Sequence, residues 1–188
     1  MKQKLVVFDM DDVMHLFNEH VSRITDVPYK KFTSFNVYKN TDFTEEEKQR
    51  VLDAYRNPDT YRNIRFVRPV VNLINRLHLR PDVHVKVVSN CASRDIRDIK
   101  YEQLRAVLDL ADRDIVLHVI DMETESFRKE MPEGVFLFVD DSPYNIEASD
   151  AVHRIMPAKP FNHPIPGVDR PETVEELINL VEKYLEAA

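Results

Sequence analysis

Two acidic clusters each follow directly on an apolar run. Val6, Val7 and Phe8 lead into Asp9, Asp11 and Asp12, with Met10 between; Phe136 to Val139 lead into Asp140 and Asp141. A short apolar run reads as a buried parallel strand. Open α/β sheets place their chemistry beyond the carboxyl ends of such strands. If the two strands are neighbours, several carboxylates meet at one rim. Carboxylates that close cannot all stay ionised without a cation. Their oxygens suit a hard ion, and Mg2+ is the expected cofactor.

The elements that must hold these residues alternate along the chain. Strands are expected at Leu5–Phe8, Val83–Val88, Ile115–Ile120, Val135–Val139 and Val152–Met156. Helices fall between them: one opened by Pro69, one over Ile96–Leu110, one begun by Pro143, and a last over Thr173–Leu185. Strands alternating with helices imply an α/β fold, a three-layer Rossmann-like parallel sheet. From His15 to Val67 the strand-like runs vanish. Thr44 followed by Glu45, Glu46 and Glu47 is a capping-box start, and Asn57 and Pro58 end that helix. The expected organisation is a core of residues 1–14 and 68–188, with a small helical cap, 15–67, inserted after the first strand. Pro157–Pro171 reads as a proline-rich surface loop.

Composition narrows the function. A chain of 188 residues suggests one domain with a small insertion, and 43% hydrophobic residues supply a core. A net charge of −7 argues against a nucleic-acid polymer or a membrane surface as partner. Cys91 is the only cysteine, which excludes an internal disulfide and fits a reducing compartment. The chain enters its first strand with no apolar leader, and no run approaches the roughly 20 residues of a membrane span. A cytoplasmic protein is expected. Gly134 and Gly167 are the only glycines, so a glycine-rich phosphate loop is excluded.

In these residues the chain resembles the haloacid dehalogenase-like hydrolases. That family's Asp-x-Asp-x-Val/Thr after a strand is matched by Asp9, Asp11 and Val13. Its Ser or Thr after the next core strand is matched by Ser89, its upstream Lys or Arg by Lys129, and its acidic pair by Asp140 and Asp141. The resemblance implies a nucleophile, Asp9, that carries an aspartyl-phosphate. It implies Mg2+ held by Asp9, Asp140 and the backbone carbonyl of Asp11. Asp11 would protonate the leaving oxygen and then deprotonate water, which calls for a pKa raised by burial beside other acids. Ser89 and Lys129 would grip the phosphoryl oxygens, while Asp141 and Asn145 support the loop.

Within that family the chain is most similar to the 5'(3')-deoxyribonucleotidases and their bacterial relatives. The Asp-Met-Asp-x-Val opening, the early helical insertion, the short interval from Lys129 to Asp140, and the segment Met156 to Asn162 carry this likeness. It implies a phosphomonoesterase acting on (deoxy)nucleoside monophosphates. Asn90 and the rings of Phe17, Phe35 and Tyr38 are the expected substrate contacts, with Phe17 first because it follows the catalytic loop. Asp12 stands where those nucleotidases usually carry glycine, and is expected either to weaken phosphate binding or to point away into solvent. A sugar-phosphate phosphatase and a non-catalytic phosphate-binding regulator are the alternatives. Pure binding needs no acid/base, so the presence of both Asp9 and Asp11 argues against the second. Cys91 is expected to be a buried structural thiol, and His15 and His163 to be surface or packing residues.

Overall fold

The computed structural model describes residues 3–120 and 128–186. Five parallel strands, β1 (Lys4–Phe8), β2 (Val83–Cys91), β3 (Ile115–Val119), β4 (Val135–Val139) and β5 (His153–Ile155), form one sheet in the order β3-β2-β1-β4-β5. The order reverses at β1, so the first strand lies centrally with β2 on one side and β4 on the other. Helices α4 (Arg68–His78), α5 (Arg94–Val107), α6 (Pro143–Ala148) and α7 (Val174–Glu186) flank the sheet. The expected three-layer α/β architecture is therefore present.

Side-chain alternation along β1 explains the layers. Val6 and Phe8 pack with Val70, Ile74 and Leu77 of α4 and Leu177 and Val181 of α7. Val7 points the other way, to Val88, Phe138 and Ile146 of α6. Both faces of the strand are buried, as its unbroken apolar run requires. Ser93 and Ser142 cap α5 and α6 through the amides of Ile96 and Asn145.

Between β1 and α4 the chain forms α1 (Phe17–Thr25), α2 (Glu45–Arg56) and the single turn α3 (Pro58–Tyr61), with short 3₁₀ turns. The capping box at Thr44 is formed: Thr44 Oγ1 accepts from the Glu47 amide, and the Glu47 carboxylate accepts from the Thr44 amide. This helical stretch has an apolar centre of Phe17, Val21, Phe32, Phe43, Val51 and Tyr61. That centre continues into Cys91, Ile96, Ile99 and Phe161, so the stretch is packed onto the sheet unit.

Helix α5 ends at Val107, short of the expected Leu110, and β5 is confined to His153–Ile155; two further departures bear on the site. Strand β2 runs on to Cys91 instead of stopping at Val88. The reason is β3, whose Ile115 starts level with Val87 and which pairs as far as Cys91↔Val119. Pro157–Pro171 is not simply a surface loop, because Phe161 and Asn162 are buried. Asn162 Nδ2 donates to the carbonyls of Asp141 and Pro157, both at 2.9 Å, which ties this loop to the end of β4.

Helix α2 depends on its cap because its polar face gains little from packing. Thr44→Ala is expected to cost about 1 kcal/mol, or roughly 2–4 °C in Tm for a chain of this size. Thermal unfolding followed by circular dichroism checks this, and an unchanged Tm would show that the box adds nothing.

Candidate active site

The register of three strands assembles the site. Phe8 pairs with Val139 of β4 and with Val87 of β2. The next residues, Asp9 and Asp140, therefore leave adjacent strands side by side, and the Asp9 amide donates to the Val139 carbonyl at 2.8 Å. Asp9, Asp140 and Asp141 each offer a carboxylate oxygen within 4.8 Å of the others, and all three are buried. Asp141, expected only to support the loop, thus joins the acidic cluster.

Lys129 reaches this cluster. Its ammonium lies 2.5 Å from both Asp9 Oδ1 and Asp140 Oδ2. Asn145 holds both partners in place: its Oδ1 accepts from the Lys129 amide at 3.1 Å, and its Nδ2 donates to Asp140 at 3.2 Å. The Ser142 amide also donates to Asp140, at 2.8 Å. Burial raises the Asp140 carboxyl to about 6, against the pull of Lys129. Burial, with Asp9 and Asp12 nearby, raises Asp141 well above the usual range. Lys129 is held above its usual value, because Asp140 and Asp9 outweigh its own burial.

Asp11 has separate company. Its carboxylate accepts from the ammonium of Lys100, a residue only 1% exposed. Its other oxygen, Oδ1, lies 3.5 Å from Nδ1 of His15, which packs against the Phe66 ring and is fully buried. Burial pushes the Asp11 carboxyl up, but Lys100 and His15 prevail and hold it at about 2. The expected upward shift is therefore reversed. Lys100 was missed in the sequence because it sits among polar residues of α5, where a solvated lysine is the default reading. Its position one turn after Ile96, on the buried side of the helix, was the available signal.

Asp12 is not solvated. It is 3% exposed and has φ 53°, in the left-handed region that favours glycine and, among other residues, Asp and Asn. Its carboxylate accepts from the Asn18 amide at 3.2 Å and from Asn18 Nδ2 at 2.6 Å. Leu16, at the N-cap of α1, has no side-chain acceptor, so Asp12 serves the start of that helix from a distance. Asn18 Oδ1 in turn accepts from the Tyr55 hydroxyl. Burial raises the Asp12 carboxyl to about 7, with Lys159 opposing.

Ser89 and Asn90 stand on the extended end of β2, and both line a cavity with Asp9, Asp11, Asp12, Lys129 and Asp141. The opposite wall is aromatic: Phe17, Phe35, Tyr55 and Tyr61. Phe17 is 5% exposed, its ring stacked on Tyr61 with centroids 5.1 Å apart and tilted against Tyr55 at 5.0 Å. Much of its surface is spent on packing. Phe35 is half-buried and meets Phe161 edge-on. Tyr38, an expected substrate contact, lies elsewhere. It is 42% exposed, accepts from Arg56 through its hydroxyl, and does not line this cavity. Cys91 is the buried thiol expected, and burial pushes it up to about 11. His163 is exposed.

The donor set fits a divalent cation. Five acids, Asp9, Asp11, Asp12, Asp140 and Asp141, gather here; Lys129 lies against Asp9 and Asp140, Lys100 is already engaged with Asp11, and Lys159 acts on Asp12. Asp9, Asp140 and Asp141 offer hard oxygen donors, and the raised carboxyls of Asp140 and Asp141 mark crowded acids that a cation would relieve.

Three solved structures share this fold over nearly the whole chain. A haloacid dehalogenase-like hydrolase of Burkholderia xenovorans LB400 superimposes with a TM-score of 0.52, covering 98% of this chain and 99% of its own, at 12% identity. A hydrolase of Pseudomonas syringae gives 0.54, covering 96% and 98%, also at 12% identity. The HAD-hydrolase YfnB of Bacillus subtilis, solved bound to magnesium, gives 0.52, covering 97% and 100%, at 14% identity. The chain thus has the fold of haloacid dehalogenase-like hydrolases. No protein-family profile and no curated protein sequence matches it. Among the described residues no helix is long and apolar enough to cross a membrane.

The raised Asp140 gives a pH test. Because its pKa in the fold exceeds 3.8, the folded protein binds this proton more tightly than the unfolded chain does. The contribution to stability is full below about 3.8 and is lost as pH rises through about 6. A cation needs the ionised form. Added Mg2+ is therefore expected to raise Tm more at about pH 7.5 than at about pH 5, and Asp140→Asn to shrink the shift at both pH values and narrow the difference, Asp141 keeping the rest. Equal shifts at both pH values would show that Asp140 is not a ligand.

Proposed function

We propose that this protein is a magnesium-dependent phosphomonoesterase that works through an aspartyl-phosphate on Asp9, with nucleoside monophosphates as its substrate class. One observation carries the reading: adjacent parallel strands deliver Asp9 and Asp140 to one buried cluster that Lys129 bridges. Such a cluster suits a nucleophile, a charge-compensating cation and a cationic phosphoryl contact in one place. The neighbours' fold, and the magnesium bound to one of them, support the same reading.

Asp9, Asp140 and Asp141 would hold the cation, with the Asp11 carbonyl as a further ligand. When bound, it would neutralise charge between the nucleophile and the phosphate. An oxygen of Asp9 attacks phosphorus, and the ester P–O bond breaks. The leaving oxygen takes a proton from Asp11. That carboxyl is ionised in the free protein; an arriving phosphate dianion raises its proton affinity, so it takes up one proton from solvent as the substrate binds and passes that proton on. In the second half, water attacks phosphorus, Asp11 accepts its proton, and the bond to Asp9 breaks to release phosphate. Ser89 and Lys129 stabilise the charge that develops on the phosphoryl oxygens.

The substrate class rests on the wall opposite the acids. Residues 15–67 act as a cap that supplies Phe17, Phe35, Tyr55 and Tyr61 to the cavity, an aromatic wall suited to a base. Closing this cap over the phosphate would exclude water until it is needed.

Asp9→Asn is expected to cut turnover of p-nitrophenyl phosphate and nucleotides by roughly three orders of magnitude or more, as loss of a nucleophile does. Near-native turnover in that variant would end the covalent mechanism. A screen of nucleoside monophosphates against sugar phosphates, with and without Mg2+, tests the substrate class. Sugar phosphates outperforming every nucleotide would overturn that part of the proposal, and no turnover of any ester would point to a binding protein.

The packing of the rings sets a second expectation. Phe35→Ala should lower kcat/KM for nucleotides about tenfold, the scale of a base–aromatic stack, while sparing p-nitrophenyl phosphate. Phe17→Ala should reduce both substrates alike, because Phe17 supports Tyr55 and Tyr61. The reverse pattern would make Phe17 the base contact.

A further inference from the structure

Lys100 is a buried cation that the mechanism above does not use. It lies on α5, is 1% exposed, and sits over the face of the Tyr61 ring, 5.3 Å from the centroid. Its ammonium has three donors. One goes to the Asp11 carboxylate, one to the Asn90 carbonyl at 2.8 Å, and one to Ser89 Oγ at 3.3 Å. Lysine is almost never this buried unless it is paired. Here the partners are the loop after β1 and the end of β2, the two segments that carry the proposed acid/base and the proposed phosphoryl contact.

We propose that Lys100 is a positioning residue that fixes the Asp11 carboxylate in register with Ser89 for proton transfer. This rests on the phosphatase reading of the site. The geometry favours it over a purely structural role. A structural lysine would serve its own helix end or an ion pair remote from the cavity, whereas all three acceptors of Lys100 belong to residues that line it. Among the described residues Asp11 has one other ion-pair neighbour, His15, whose nearest nitrogen is 3.5 Å away, too long to fix a carboxylate by itself. Tyr61 closes the remaining side, and its carbonyl accepts from Gln103 one turn along α5 at 2.6 Å, so Lys100 is itself held in place. A carboxylate that moves proton to and from a reacting oxygen must be held within hydrogen-bond reach of it. Lys100 supplies that constraint without touching phosphorus.

The test separates this role from general support. Lys100→Met keeps the length of the side chain and removes the ammonium. With p-nitrophenyl phosphate, whose leaving group needs no proton, phosphorylation of Asp9 should survive while hydrolysis of the aspartyl-phosphate stalls. Rapid mixing should therefore show a burst of about one p-nitrophenolate per site, followed by turnover at least tenfold below the wild type. With alkyl phosphates, which need the proton in the first step, kcat should fall further, without a burst, and KM should change less than threefold. Equal losses for both ester types with no burst would overturn the proposal.

Lys100→Met leaves Asp11 unpaired and could fail to fold. The Asp11→Asn/Lys100→Met double variant has neither charge and serves in its place. Compared with Asp11→Asn alone, it should lose less than threefold in kcat, because Lys100 acts only through Asp11. A further tenfold loss would show an independent role and overturn the proposal. If the wild type with Mg2+ hydrolyses no phosphomonoester, the phosphatase reading falls and this inference with it. If the wild type turns over and the burst is missing, only the inference falls.

Discussion

Parallel pairing of β1 with β4 forces two carboxylates together. Phe8 lies level with Val139, so the chain cannot leave the two strands without setting Asp9 beside Asp140. Like charges at that separation, with both groups buried, are unfavourable by any electrostatic measure. The rest of the site follows as compensation. Lys129 is drawn between the two, Asn145 and the Ser142 amide satisfy Asp140, and Asn162 holds the backbone behind Asp141. The core contributes by making the register unslippable. A one-residue shift of β1 would turn Val6 and Phe8 away from α4 and α7 and expose an entire apolar face to the wrong layer.

The acids divide into two groups with opposite electrostatics. Asp11 is neutralised by Lys100 and beside His15, and is held low. Asp140 and Asp141 lie where burial prevails, and both are raised. Sites that run acid and base chemistry push the pKa values of neighbouring groups apart. Here the division comes from topology. Asp11 faces the end of β2 and the helix that follows it, while Asp140 and Asp141 face the loop that brings in Lys129.

Much of this was legible in the sequence. The apolar runs ending in Asp9 and Asp140 located two strands, and the alternation of strands and helices implied a parallel sheet, but that these two strands are neighbours in register came only with the fold. The capping box at Thr44 was readable because its residues are local. What was not legible depended on contacts across the fold. Nothing near Ser89 shows that β2 continues to Cys91, since the cause is the offset start of β3. Lys100 looks like any helix lysine until α5 is turned toward the sheet. Tyr38 and Phe17 are both aromatic residues in the same stretch, and composition could not say that one faces solvent while the other packs on Tyr61. The direction of the Asp11 shift could not be read either, because it is decided by a partner 89 residues away.

Asp12 has a consequence for how such a cavity can change over time. Its backbone conformation admits few residue types, chiefly glycine, asparagine and aspartate. The three differ in what they bring. Glycine relieves the backbone but removes the acceptor that starts α1. Asparagine keeps a side-chain oxygen for Asn18 and carries no charge. Aspartate keeps the oxygen and adds a carboxylate to the wall. At this one position, sequence drift can reset the charge of the cavity while leaving the course of the chain unaltered, so shape and charge are inherited separately.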